Sequence, residues 1–293
     1  MLINTLKVVE VFCEIDDFCK VYEAKLAPHL LACAASVHSV NQPSLSLSEM
    51  VTLEVLYHRS GHKCFQYYYE QEVLEGSLRS YFPAAPSYNR FVELKPRLLL
   101  PLIAYLHCLR LGALLGIYYG DSTPLAVCHN RRIKQHQVFA RQAKRGKTSV
   151  DWFYGFKLFI VVNGLGELVN VFLTPGNVSD SREATIKRLF KGLTGLAFAD
   201  KGFINQKAFE ALLQGGLKLI TALRSNMKNK LMDMKEKLLL KKRGMIESVI
   251  DILKSVCNIE HSRHRSALNM LVNTYAALCA YATLERKPSI FIH

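Results

Sequence analysis

The hydrophobic positions fall into two regimes along the chain. Over residues 6–26 apolar side chains recur at Val8, Val11, Ile15, Phe18, Tyr22 and Leu26, and spacings of three and four residues predict an amphipathic helix. The stretch NQPSLSL breaks that period. Ser48 followed by Glu49 then reads as a helix start, with Met50, Leu53 and Leu56 on one face and Gly61 at the end. A third helical segment covers residues 63–79, and FPAAPS after it is a loop. Ser87 can cap a short helix through Leu94, and Pro96 suits the first turn of the next, which ends near Arg110. Residues 1–110 are therefore read as helical.

After Gly112 the pattern shortens to apolar runs bounded by glycine. ALLGIYY has β propensity, and YGFKLFIVVN and LVNVFLT, joined by GLGE, read as a hairpin. Asp180 opens DSREATIKRLFKGL, where Asp180 and Glu183 have capping-box spacing. Next come the strand GLAFAD, the helix NQKAFEALLQGG, the strand LKLITAL and the helix GMIESVIDILKSV. MKNKLMDMKEKLLLKKRG, between the last two, is a basic stretch read as a mobile surface segment. The order is strand, hairpin pair, helix, strand, helix, strand, helix. It predicts an α/β region over residues 111–293 behind a helical region over residues 1–110.

Charge sharpens this division. The chain has 293 residues and a formal charge of +14, yet residues 1–100 hold nine Lys and Arg against eleven Asp and Glu, so the excess lies wholly beyond them. A basic region of this size predicts a polyanionic partner, nucleic acid before an anionic membrane surface. No apolar stretch is long enough to span a bilayer; LLLPLIAYLHCL is interrupted by Pro101 and His107 and closed by Arg110. Eight cysteines without a C-x-x-C pair argue against a zinc ribbon and a disulfide scaffold, and point to reduced thiols of a cytoplasmic protein. There is no G-x-S-x-G, no G-x-x-x-x-G-K-[ST] and no H-E-x-x-H, so serine hydrolase, P-loop and zincin chemistries lack support.

Against this background one acid is conspicuous. Asp121 is followed by no Asp or Glu until Asp151, while Arg131, Arg132, Lys134, Arg141, Lys144, Arg145 and Lys147 fill the interval. In open α/β sheets sites form at the carboxyl ends of strands. Asp121 is placed at the end of the first strand and Asp200 at the end of the fourth, so neighbouring strands would set the two carboxylates side by side. A divalent cation relieves such a pair, and oxygen ligands suit Mg²⁺ or Mn²⁺. Two such ions can clamp the attacking and leaving oxygens of a phosphodiester. A third acid is expected from a helix at the sheet edge, and Glu247 is the candidate. Arg243, four residues before it, and Lys254, seven after, lie on the same side of that helix and could hold a DNA backbone. Lys157 and Lys201 could steady phosphates near the strand ends, as could Arg131, Arg132, Lys134, Lys144 and Arg145 in the acid-free run. Asp180 is read as a helix cap. His261 and His264, beside Arg263 and Arg265, suit DNA contact or surface packing better than zinc.

The segments GDSTPLAVC, YGFKLFIVVNGLGELV, LTPGNVSDSRE, ADKGF, RGMIESVIDILK and IEHSRHRSALNMLVN occur in an order that resembles the bacterial insertion-sequence transposases of the DDE type. The group most similar is the insertion-sequence nine-eight-two family, whose N-terminal region also resembles VEVFCEIDDFCK and SYNRFVEL. The resemblance implies a ribonuclease H-like mixed-sheet catalytic core with an α-helical N-terminal region that recognises DNA ends, pairs subunits, or both. It implies a DNA transposase that cleaves at the ends of the element and transfers strands into target DNA. Asp121, Asp200 and Glu247 would be the Asp-Asp-Glu ligands of two Mg²⁺ ions, with Mn²⁺ able to substitute. Arg243, Glu247 and Lys254 match the family's Tyr-Arg-Glu-Lys signature, whose tyrosine position is Leu240 here. Double-stranded DNA, as terminal inverted repeats and as target, and a second copy of the chain are the implied partners, in a bacterial cytoplasm and without a membrane. A ribonuclease H-like nuclease lacking strand transfer, and a basic nucleic-acid-binding protein without catalysis, stay open as alternatives.

Overall fold

The computed structural model describes residues 5–25, 44–148, 151–222, 233–260 and 264–291. It divides into two compact units: residues 1–110 with 253–259 and 265–283, and residues 111–252 with 260–264 and 284–293.

The first unit is helical. Its elements are α1 (Thr5–Lys25), α2 (Leu47–Tyr57), α3 (Phe65–Tyr68), α4 (Tyr88–Leu94), α5 (Leu99–Tyr105) and the C-terminal α10 (Ala267–Ala282). Two of these continue as wide turns, Tyr69–Leu74 after α3 and Leu106–Arg110 after α5. The cap of α2 is Ser46 rather than Ser48: its hydroxyl accepts from Glu49 N–H while the Glu49 carboxylate accepts from Ser46 N–H, closing a capping box. Ser48 instead donates to Asp16 of α1 at 2.7 Å. Ser87 caps α4 as its sequence suggests, and Pro96 sits in the tight turn Lys95–Leu98 that leads into α5. α2 is buried along nearly its whole circumference, packed by α1 and α10, so it is a central helix and not the one-sided element its spacing suggests. α10, from the C-terminal part of the chain, packs on α2 and α5 and is therefore part of this helical unit. Inside it Lys95 and Glu54 form an ion pair at 2.8 Å, with side chains 7% and 0% exposed.

The second unit is one six-stranded mixed sheet with helices packed on it. Its strands are β1 (Ile117–Cys128), β2 (Lys144–Lys147), β3 (Trp152–Asn163), β4 (Leu168–Pro175), β5 (Gly195–Ala199) and β6 (Leu217–Thr221). Its helices are α6 (Glu183–Leu189), α7 (Gln206–Gln214), α8 (Met234–Lys241) and α9 (Gly244–Ser255), the last turn of α9 being counted with the first unit. The path runs β2-β3-β1-β5-β6, with β4 also on β3. β1 is antiparallel to β3 and parallel to β5, and β5 is parallel to β6. β3 is buried from Phe153 to Asn163 because β1 flanks it on one edge and β2 and β4 share the other, which explains its near-continuous apolar run. One core face joins Tyr118, Phe159 and Ala197 of the sheet to Ile186, Leu189 and Phe190 at α6 and to Ala208 and Leu212 of α7.

Three sequence expectations change here. β1 does not stop at Asp121 but continues on β3 to Cys128. The strand β2 was legible only as a run of charge, because Lys-Arg-Gly-Lys carries no apolar alternation. Of the basic stretch read as mobile, residues 227–232 lie outside the described residues and residues 234–241 form α8. The described cysteines are unpaired; Cys19, Cys257 and Cys279 are buried, whereas Cys13, Cys64 and Cys108 are exposed.

Candidate functional site

Register builds the site. Parallel pairing of β1 with β5 runs from Ile117↔Leu196 to Gly120↔Ala199 and stops there. The next residues are Asp121 and Asp200, so the two acids follow matched positions on neighbouring strands. Asp121 is not a loose chain end, since it stays paired with Ile160 of β3 while β5 has already turned off at Asp200. Alternation along β1 puts Tyr119 and Asp121 on one face and Tyr118, Gly120 and Ser122 on the other. On the Asp121 face Tyr119 donates to the Leu239 carbonyl of α8 at 3.2 Å, which fastens the α8 segment there. On the opposite face Gly120 admits the ring of Phe190; a Cβ at Gly120 would stand 2.5 Å from Phe190 Cζ.

Asp121 carries the electrostatic signature of the site. Its side chain is 18% exposed, and burial pushes its carboxyl up to about 6. The Ser122 N–H, donating to Oδ1 at 2.7 Å, and the Arg243 guanidinium pull it down, while Asp200 and Asp180 push it up. Arg243 Nη1 lies 3.6 Å from Asp121 Oδ2, and its Nη2 donates to Glu247 Oε1 at 2.8 Å. The guanidinium thus joins the buried aspartate to a glutamate that is 61% exposed. Among the described residues no three His, Cys, Asp or Glu side chains stand close enough to hold a metal ion. Cationic charge beside Asp121 is supplied here by Arg243.

Asp180 and Lys157 have roles the sequence did not suggest. The N-cap position of α6 is Arg182, with no side-chain cap, so Asp180 is no helix cap. Its Oδ1 accepts from Ser122 Oγ at 2.8 Å and from Lys157 Nζ at 3.1 Å. Lys157, read from sequence as a phosphate contact, is 10% exposed and also donates to the Val178 carbonyl at 3.1 Å. Its ammonium is committed inside the protein. The available signal was Lys157 itself, the single charge in an apolar strand, because a buried ammonium calls for an acid. Asp180→Ala should strand that ammonium and lower stability by about 1–3 kcal/mol in urea denaturation, with Lys157→Met restoring most of the loss. A variant as stable as the parent would contradict this pairing.

The other cations divide by position. Arg131, Arg132 and Lys134 are exposed on the tight turn Asn130–Gln135, and Lys144 and Arg145 are exposed on β2. Lys201 is exposed on the turn directly after Asp200. Lys254 is half-buried in the part of α9 counted with the first unit. His261 and Arg263 lie outside the described residues.

Comparison with known proteins gives two results. Residues 111–267 match the family model of the transposase DDE domain. Among solved structures, the chain is similar to the piggyBac transposase in a synaptic complex with hairpin DNA, with a TM-score of 0.51 and 12% identity over 93% of this chain and 71% of that one. No curated protein matches. The structural likeness shows a shared mixed α/β, ribonuclease H-like fold. Among the described residues no helix is long and apolar enough to cross a membrane.

Proposed function

The chain belongs to the transposase DDE domain family, and from that premise we propose that it cleaves DNA at the ends of a mobile element and joins those ends to target DNA. The observation that carries this reading is the alignment of Asp121 with Asp200 at the end of the β1–β5 pairing, with Glu247 tied to Asp121 through Arg243. The bacterial insertion-sequence nine-eight-two group remains our assignment within the family, on the sequence resemblance.

Asp121, Asp200 and Glu247 would hold two Mg²⁺ or Mn²⁺ ions. The donor set fits: three carboxylates offer hard oxygen ligands, and Asp200 and Asp180 add negative charge near the buried Asp121. When bound, the ions would activate water and stabilise charge on the phosphodiester. The chain's own part is positional. Asp121 is fixed by its ladder with β3 and by the Ser122 N–H, and Ser122 in turn is held by Asp180, which Lys157 anchors. Such preorganisation places reacting groups without reorganisation at the moment of reaction. Arg243, which bridges Asp121 and Glu247, would contact a phosphate together with Lys201 beside Asp200. The exposed Arg131, Arg132, Lys134, Lys144 and Arg145 extend a basic surface for the duplex, and Lys254 is proposed as a separate phosphate contact. The helical unit is proposed to recognise terminal inverted repeats or to pair two copies on DNA, in a bacterial cytoplasm.

Purified protein incubated with Mg²⁺ and DNA carrying the element ends tests the reading. Joined products are expected. Nicks without joining would favour a ribonuclease H-like nuclease, and retention of DNA without cutting would favour a binding protein.

A further inference from the structure

The chain has one tryptophan, and it lies away from the carboxylates. Trp152 opens β3 with 45% of its surface exposed, beside a strand, β2, that is terminal in the sheet path. Lys147 is its direct partner across the ladder, and Arg145 lies diagonally on the same face. The Arg145 Cζ and Lys147 Nζ stand 4.9 and 5.7 Å from the indole centroid. Trp152 is also tied to the second basic element, because Asn130 at the start of the Arg131–Arg132–Lys134 turn donates to the Trp152 carbonyl at 2.6 Å. The adjacent acid, Asp151, accepts from the Trp152 N–H at 2.7 Å and shapes the turn. Residues 122–150 contain seven Lys and Arg and no acid, so the surface is complementary to a polyanion and to no acidic-poor protein face.

Cations flanking an aromatic ring are the combination that grips a nucleic-acid strand, the charges taking phosphates and the ring taking a base. We propose that Trp152, Arg145 and Lys147 form a contact for a DNA strand with unpaired bases, Arg145 and Lys147 binding neighbouring phosphates and the indole stacking on one base. This rests on the reading of the chain as a DNA-processing enzyme, and it adds a site outside the carboxylate cluster and the class of DNA that site prefers.

Because Trp152 is unique, its emission reports on this hairpin alone, while the anisotropy of a dye on the DNA reports binding by the whole protein. The probe is a labelled duplex with a single-stranded overhang, titrated into the full chain and excited where tyrosine does not absorb. Saturable quenching that follows the anisotropy curve is expected. Trp152→Ala should weaken binding about fivefold to a hundredfold, the range of one lost base stack, and an Arg145→Ala, Lys147→Ala double variant should bind more weakly and lose the quenching. DNA binding with unchanged emission would overturn this site and leave the DNA-processing reading intact. No anisotropy change would overturn both. An emission shift on anionic vesicles, with none on DNA, would reassign the surface to lipid.

Discussion

Asp121→Asn is expected to abolish cleavage and joining while leaving retention of DNA largely intact, and at the same time to make the metal-free protein more stable above pH 6. The second effect follows from the environment of the carboxyl. Its ordinary value is 3.8, and burial in the folded chain pushes it up to about 6. As pH rises between these values the unfolded chain gives up the proton while the folded chain keeps it. Stability therefore falls across that window, and above about 6 the full cost of an ionised, buried carboxylate is present. Two pH units correspond to a cost on the order of 2–3 kcal/mol. Asparagine keeps an oxygen to accept the Ser122 N–H but has no charge to bury, so thermal melts in chelator should show the variant gaining stability relative to the parent as pH rises from about 4 to 6. Joining that survived the substitution would remove Asp121 from the proposed metal site. An unchanged pH profile would show that the carboxylate is not strained in the way its surroundings imply.

Lys95→Met should be the most damaging single change in the helical unit, with a loss of about 3–5 kcal/mol, the usual result of leaving one member of a buried pair without the other. Lys95 is held by two groups: Glu54 at 2.8 Å and the face of Phe65, whose centroid is 3.7 Å from Nζ. Burial pushes the Glu54 carboxyl up and Lys95 opposes that rise. With Lys95 removed, Glu54 would favour its neutral form still more. The loss should therefore be greatest near neutral pH and shrink on acidification, as Glu54 takes up a proton. Urea denaturation at two pH values measures it, and a Glu54→Met, Lys95→Met double variant should recover much of the deficit. A loss below about 1 kcal/mol would mean that the pair contributes as little as a surface ion pair.

These two residues also mark how much could be read in advance. Helices and strands were legible wherever apolar residues repeated locally: Val8, Val11 and Ile15 for α1, and the β3 run with its GLGE turn, where Gly166 has a positive φ of 74°. The mixed α/β order followed from the same local signals. β2 was illegible because Lys-Arg-Gly-Lys forms a strand only through pairing with residues 152–155. The cap of α6 was misread for a related reason. Asp180 has capping spacing, but Ser122 and Lys157, 58 and 23 residues away in the chain, offer it stronger partners.

By itself the sequence determined the helical-then-α/β order apart from β2 and α8, the basic surplus beyond residue 100 and the two aspartates next to apolar strand residues, because hydrophobic period and charge count are local properties. Tertiary structure alone decided which charges meet. Strand register sets Asp121 level with Asp200, the turn after β4 brings Asp180 to Lys157, and helix packing buries Glu54 on Lys95. An i,i+4 spacing could bring Arg243 to Glu247, but only the fold could bring the same guanidinium to Asp121. Contacts between residues far apart in the chain depend on how sheets pair and helices pack, and on which buried charge can find a partner there, and neither is written in the spacing along the chain.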